Sequence, residues 1–427
     1  MTLLEELKAV VTDERDIVSV LAAEVGFTYS PGPKGQLTFR TAATPPEVFA
    51  TARTKNGVVT ELKPGRPLAT PDAQRSLIKR ARIASAHSHG FRVYHRTLFS
   101  RLPIAGPFRW RDTVQLRPCS DNNAIDEPQS YILDRGTPQG MMPRHDGPPF
   151  PLILEVSVPD SPNFLIRGNR IRWSLDFWQN VFAVFVPGDI GYWSMGDSDF
   201  VWTTVIEDGI ARNRLVQQAF ADGEPGEPSA LADVEPAALD PSEGFYDRIT
   251  STLGTLRFPA SLPDDLEWLD SLSPAERSAF ARASYWFSAG VRARSERSLA
   301  VAIVAFSTAI ECLLPKPETS RCRCCGEKRG PGPTKLFKDH LNKFAKAPES
   351  LESLQAGLYA ARSALVHGSY APDIDTYSFH KSLSDPSHLA LEWWARKSLI
   401  NWVRASDRST WHLREGRGGG SAPVEGA

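Results

Sequence analysis

Two residues in one short stretch have the chemistry to work on a phosphodiester. They are Arg362 and His367, in Leu358-Tyr-Ala-Ala-Arg-Ser-Ala-Leu-Val-His-Gly368. A guanidinium can hold phosphate oxygens bidentately, and an imidazole can move a proton near neutral pH. The stretch reads as the last turns of a helix. Leu358, Leu365 and Val366 form an apolar stripe, and Gly368 stands where a left-handed C-cap glycine usually does. Five residues of helix turn through about 140°, so the two side chains do not share a stripe. They converge only through the reach of Arg362 and the terminal place of His367, or because a second copy of the helix faces the first. As bare residues they also fit a salt-bridged surface arginine and a helix-capping histidine.

A second stretch bears on the first. Tyr285-Trp286-Phe287 is followed by Ser298 to Leu314, an apolar helix carrying one acid, Glu311. An unpaired buried carboxylate is costly, so Glu311 either has a cationic partner or lies exposed near the helix end.

The Arg-x4-His spacing closely resembles the Arg-x4-6-His motif of HEPN domains, and the Tyr-x-x-Arg-Ser-x-x-x-His-Gly form is similar to their Apea-like branch. The Tyr285 and Ser298–Leu314 segments resemble that branch's paired first helices, the acid included. The resemblance spans roughly residues 270 to 410, about a third of the chain. It implies an all-α bundle and a metal-independent endoribonuclease, probed by the RNA 2′-OH attacking the adjacent phosphate to leave a 2′,3′-cyclic phosphate. In that scheme His367 moves the proton, Arg362 stabilises charge on the phosphate oxygens, and Glu311 orients Arg362. Ser363 touches a phosphate, whereas Tyr359, one turn back, belongs to the core. It also implies a homodimer pairing the motif helices, with RNA, tRNA among the candidates, as substrate. By analogy with antiphage abortive-infection proteins, the remainder of the chain would sense a trigger or restrain the effector. The alternative is a non-catalytic HEPN module that dimerises and binds RNA or nucleotides.

Cys322-Arg-Cys-Cys-Gly326 contains Cys-x2-Cys-Gly, half of a zinc knuckle. A matching second pair is missing, with Cys312 and His340 the nearest candidates at irregular spacing. Two readings stand, structural zinc on Cys322 and Cys325 or free thiols in a basic loop. No cofactor is expected for catalysis. Arg321, Arg323, Lys328 and Arg329 give that loop the charge to contact an RNA backbone. His87, His89 and His95 lack a nearby acid to complete a metal site. Arg167, Arg170, Arg172 and Trp173 alternate along what reads as a hairpin, placing them as ligand contacts or half-exposed strand residues.

The elements that must position these residues follow from composition and pattern. A chain of 427 residues, 41% hydrophobic and 10% aromatic, is long enough for two or three folded domains. No apolar run approaches a membrane span of roughly 18 residues, and the N-terminus lacks the order of a secretory signal. Cytoplasm is the expectation, with no membrane partner. The net charge of −1 hides an asymmetry: 22 Lys+Arg face 16 Asp+Glu from Trp268 onward, against 27 and 34 before it. A basic C-terminal part suits a polyanion, although ordinary scatter between domains gives the same numbers.

The fold class is α+β, a β-rich mixed N-terminal domain followed by an all-α HEPN bundle. Residues 1–221 make the first domain. It opens with helical spacing to about Glu24, strands at Leu37–Thr41 and Gly57–Lys63, and a helix over Asp72–Ser85. From Phe91 short runs suggest an antiparallel sandwich or partly closed barrel: Phe91–Leu98, Trp110–Leu116, Ser130–Leu133, Pro151–Val158, Phe164–Leu175, Val181–Val186 and Phe200–Ile206. A short helix over Ile210–Ala221 closes this part. The segment Asp222–Glu243, with seven acids, four prolines and no Lys or Arg, reads as a linker, extended as a connector to residue 267. The helical domain spans 268–414. A capping box at Ser273-Pro-Ala-Glu276 starts its first helix, to about Arg292. Four more cover Ser295–Leu314, Thr334–Ala345, Glu349–His367 and Ser387–Ala405. Residues 415–427 read as a disordered tail. No nucleophile elbow, P-loop or metal triad marks the N-terminal domain as an enzyme.

Overall fold

The computed structural model describes residues 1–26, 29–55, 58–86, 90–100, 104–118, 150–186, 200–207, 210–217, 230–242, 246, 255, 257–295, 298–315, 320–321, 328–329, 332–367 and 387–408. The chain is α+β, with sheets in its first half and helices dominating its second. The predicted strand at Ser130–Leu133 and the C-terminal tail lie outside the described residues.

Helices α1 (Leu3–Val10) and α2 (Asp16–Glu24) lead into a four-stranded antiparallel meander, β1 (Tyr29–Pro31), β2 (Gln36–Arg40), β3 (Val48–Lys55) and β4 (Val58–Pro64). Thr2 and Glu5 cap α1 reciprocally, satisfying amides that the first turn leaves without partners. Helix α3 (Pro71–Ser85) begins at Pro71 as the sequence predicts, capped by the Thr70 hydroxyl. These three helices and the meander share one apolar core built on Leu7, Ile17, Leu21, Phe39, Ala52 and Leu77.

A second antiparallel sheet, in the order β5-β8-β7-β6, follows: β5 (Phe91–Ser100), β6 (Phe108–Trp110), β7 (Val114–Pro118) and β8 (Phe150–Pro159). The run Trp110–Leu116, expected as a single strand, holds the end of β6, a tight turn over residues 111–113 and the start of β7. Arg111 there takes a left-handed φ of 52°, its guanidinium 4.6 Å from the Trp110 ring and paired with Glu267 and Asp270.

The larger correction concerns Phe164–Leu175 and Val181–Val186, predicted as strands. Both lie on one long helix, α4 (Phe164–Phe185), started by the Asn163 side chain accepting from the amides of Leu165 and Ile166. The second half of α4, from Phe177 to Phe185, is buried throughout. A helix covered on every side loses the 3.6-residue alternation, and its Phe and Val content then imitates a buried strand. The reverse error falls on Ile210–Ala221. Residues Ile210–Gln217 form β10, paired antiparallel with β9 (Phe200–Glu207). Asp208-Gly209 between the two runs is the hairpin signal that the sequence reading passed over.

The acidic segment is also less detached than its composition implies. In its described part, residues 230–242, Leu231 is buried, and the Ala237 amide donates to the Pro107 carbonyl at 2.7 Å. Gln115 donates to the Ala232 carbonyl at 3.1 Å, and the Asp240 amide to the Phe258 carbonyl at 2.7 Å. Backbone hydrogen bonds thus tie down this stretch, and Leu239 packs on the apolar core beside it.

The C-terminal helices are α5 (Leu262–Asp270), α6 (Pro274–Ser295), α7 (Leu299–Glu311), α8 (Pro333–Phe344), α9 (Glu352–Val366) and α10 (Ser387–Arg404), with a two-residue ribbon, β11 (Ser320–Arg321) and β12 (Lys328–Arg329), between α7 and α8. The predicted capping box is present: the Glu276 amide donates to the Ser273 hydroxyl, and the Ser273 amide donates to the Glu276 carboxylate at 3.0 Å. Gly290 lets α6 approach α7 closely, because a Cβ there would stand 2.7 Å from the Phe306 ring.

One apolar core runs from the second sheet through α4 into these helices, joining Leu154, Val156, Phe182 and Phe185 to Phe280, Phe306 and Trp394. The hydrophobic division therefore falls near residue 90 rather than at the acidic segment. Ile166, near the start of α4, packs into the first core. Among the described residues, no helix is long and apolar enough to cross a membrane.

Candidate active site

Arg362 projects from the last full turn of α9 toward the end of α7. Its Nη2 donates to Glu311 Oε2 at 2.8 Å, the pairing that the lone acid on an apolar helix called for. Both side chains are about four-fifths buried, at 21% and 24% exposure. Burial pushes the Glu311 carboxyl above the ordinary glutamate range, and the adjacent Arg362 charge works against that rise. On its other side the guanidinium lies 5.9 Å from the Tyr359 ring, itself packed on Phe337 at 5.0 Å. Tyr359 is thus a packing residue under the arginine. The Arg362 Nε is buried and has no hydrogen-bond partner among the described residues. The guanidinium is held by one nitrogen while retaining donor capacity for an anion.

His367 closes α9 as its C-cap residue, its amide donating to the Ser363 carbonyl at 3.0 Å. Its side chain is exposed, whereas Ser363 is half-buried. No hydrogen bond joins Arg362 to His367 among the described residues, as expected of positions about 140° apart on a helix. Gly368 lies outside the described residues.

Of the basic loop, Arg321, Lys328 and Arg329 stand on the β11–β12 ribbon, with Arg321 directly opposite Lys328 in the register. Arg323, Cys322 and Cys325 lie outside the described residues. The further zinc candidates are placed otherwise. His340 is fully buried in α8, its Nε2 2.7 Å from the Ser398 hydroxyl on α10, and burial pushes its imidazole down to about 3. Cys312 is half-buried at the end of α7, and burial raises its thiol. His340 is a core residue, held there by the stripe Leu336, Phe337, Leu341 and Phe344 on the same face.

In the N-terminal half, His87 and His89 lie outside the described residues. His95 stands on β5 opposite Glu155, and burial lowers its imidazole. Arg167, Arg170, Arg172 and Trp173 are helical, on α4, rather than on a hairpin. Arg170 is buried against Asp16 at 2.6 Å, and Arg167 meets Asp160 at 2.8 Å. Trp173 lies under the Arg15 guanidinium at 3.6 Å.

The chain matches no family model, no curated protein and no solved structure.

Proposed function

We propose that the C-terminal helices form a metal-independent endoribonuclease of the HEPN type, with Arg362 and His367 as its working residues. The observation that carries this reading is the Arg362–Glu311 pair. A glutamate fixes the guanidinium through one nitrogen and leaves a buried N–H without a partner among the described residues, on the helix that ends at the exposed His367. Arg362 holds the phosphate and offsets the charge that develops on its oxygens. His367 moves the proton of the attacking 2′-OH or of the leaving 5′ oxygen. The product is a 2′,3′-cyclic phosphate. Since the two side chains diverge around one helix, a second copy of the chain supplies the facing pair, and the active unit is a homodimer. Arg321, Arg323, Lys328 and Arg329 supply backbone contacts to the RNA.

Incubation of purified protein with structured RNA and tRNA in EDTA, followed by end-group analysis, tests the reading. Cyclic-phosphate ends are expected from the wild type, with His367→Ala and Arg362→Ala each slower by about 10²–10⁴, the range that positioned acid–base groups contribute. Cleavage by either variant at the wild-type rate would sink the mechanism.

A further inference from the structure

A cavity of about 770 Å³ lies where the α1–α2 turn, the meander, α4 and α6 meet. That volume is in the range of sites that enclose a small organic molecule. Val18, Leu37, Pro159 and Trp173 supply its apolar lining, and the remainder is largely arginines and aspartates.

The charges are almost completely matched. Arg15 Nε donates to Asp13 at 2.9 Å, and Arg170 meets Asp16 at 2.6 Å. Asp176 is neutralised from outside the lining by Arg96 at 2.6 Å, and Arg277 of α6 by Asp270 at 3.0 Å. The lining itself carries four arginines against three aspartates. The cation left over is Arg172, exposed on α4 at the cavity and without a carboxylate partner among the described residues. The surrounding side chains are held still. Trp173 is stacked on Phe177 at 5.0 Å with 9° between the planes, Arg15 is clamped between Asp13 and the Trp173 ring, and Asn169 donates to Ser19 at 2.7 Å. A preorganised wall loses little entropy when something binds to it.

We propose that this cavity binds a small organic monoanion with an apolar body, its acidic head on Arg172 and its body against Leu37, Val18 and Trp173. A dianion would find only one uncompensated charge, and a cation would meet Arg172 unfavourably. Arg277 gives α6, one of the C-terminal helices, a direct contact with the occupant, so binding braces α2, α4 and α6 together. None of this depends on RNA cleavage.

The test uses the full-length chain and two fluorescent naphthalenes of similar shape, anionic 8-anilinonaphthalene-1-sulfonate and neutral N-phenyl-1-naphthylamine. One saturable site is expected for each. Arg172→Gln should raise the Kd of the sulfonate about tenfold, the loss of one charge-assisted contact, and leave that of the neutral probe unchanged. Leu37→Trp, which places an indole where the apolar body of the ligand would lie, should weaken the binding of both. If it fails to fold, Ser174→Trp, on the α4 side of the lining, serves the same purpose. Equal sulfonate binding by wild type and Arg172→Gln would overturn the proposal. So would undiminished binding of either probe by a folded Leu37→Trp or Ser174→Trp chain.

Discussion

Glu311 ends an apolar helix with its carboxylate mostly out of water, and the Arg362 charge offsets only part of that cost. The sign of its pH dependence follows. Its folded-state value is raised, so between the ordinary glutamate value of 4.5 and that raised value the folded chain holds more protons than the unfolded one. Stability therefore falls as pH rises through this window. Glu311→Gln should flatten that dependence in urea titrations while keeping an acceptor for Arg362. If Glu311 positions the arginine, the same variant should cleave RNA roughly tenfold more slowly with KM little changed, and Glu311→Asp should recover part of the loss. His340 behaves oppositely. Its value of about 3 lies far below the ordinary 6.5, so the unfolded chain takes up a proton that the folded one refuses. This contribution is complete above pH 6.5 and is lost as pH falls, up to about 5 kcal/mol by pH 3. Acid unfolding of His340→Gln should be visibly less steep. The Glu311 partnership was legible because a single acid on an apolar helix must be answered. His340 was equally legible in principle, since it continues the stripe of Leu336, Phe337, Leu341 and Phe344, but as a cysteine's neighbour it invited a metal reading instead.

Among the elements, α6 to α10 follow their sequence signals closely because of local punctuation, whereas α5 falls largely in the stretch expected to be connector. Ser273 and Glu276 start α6, Pro333 stands first in α8, and His367 ends α9. Helix α4 carries no such contrast along its buried half, so pattern alone could not separate it from a strand. The β9–β10 hairpin had its signal in Asp208-Gly209 and was missed through its polar, arginine-bearing second strand. The contact of α6 with α7 depends on a glycine that no periodicity explains. Gly290→Ala would drive a methyl against the buried Phe306 ring, and urea denaturation should show a loss of about 1–3 kcal/mol. Since α7 presents Glu311, the displacement should also loosen the Arg362 pair.

At the scale of the whole molecule, α4 belongs to both cores, through Ile166 at one end and Phe182 and Phe185 at the other. The composition of the acidic segment pointed to a boundary there because composition reports side chains, whereas that segment is held by its backbone. The far end of α4 is secured by Arg396 of α10, whose Nη1 donates to the carbonyls of Ala183 at 2.9 Å and Val184 at 2.6 Å. The same guanidinium pairs with Glu392, which also meets Arg294 at 2.8 Å. Arg396→Ala leaves buried acceptors unanswered and should lower the unfolding free energy by about 3–5 kcal/mol. This arrangement also sets a clock on synthesis. The carbonyls of α4 leave the ribosome more than 200 residues before the arginine that satisfies them. At roughly 5–20 residues per second that interval is on the order of 10–40 s. Through it the newborn chain holds an apolar helix without its cover. A product truncated before Arg396 never acquires that cover, so the Arg362–Glu311 pair is placed in its final setting only in chains translated past that arginine.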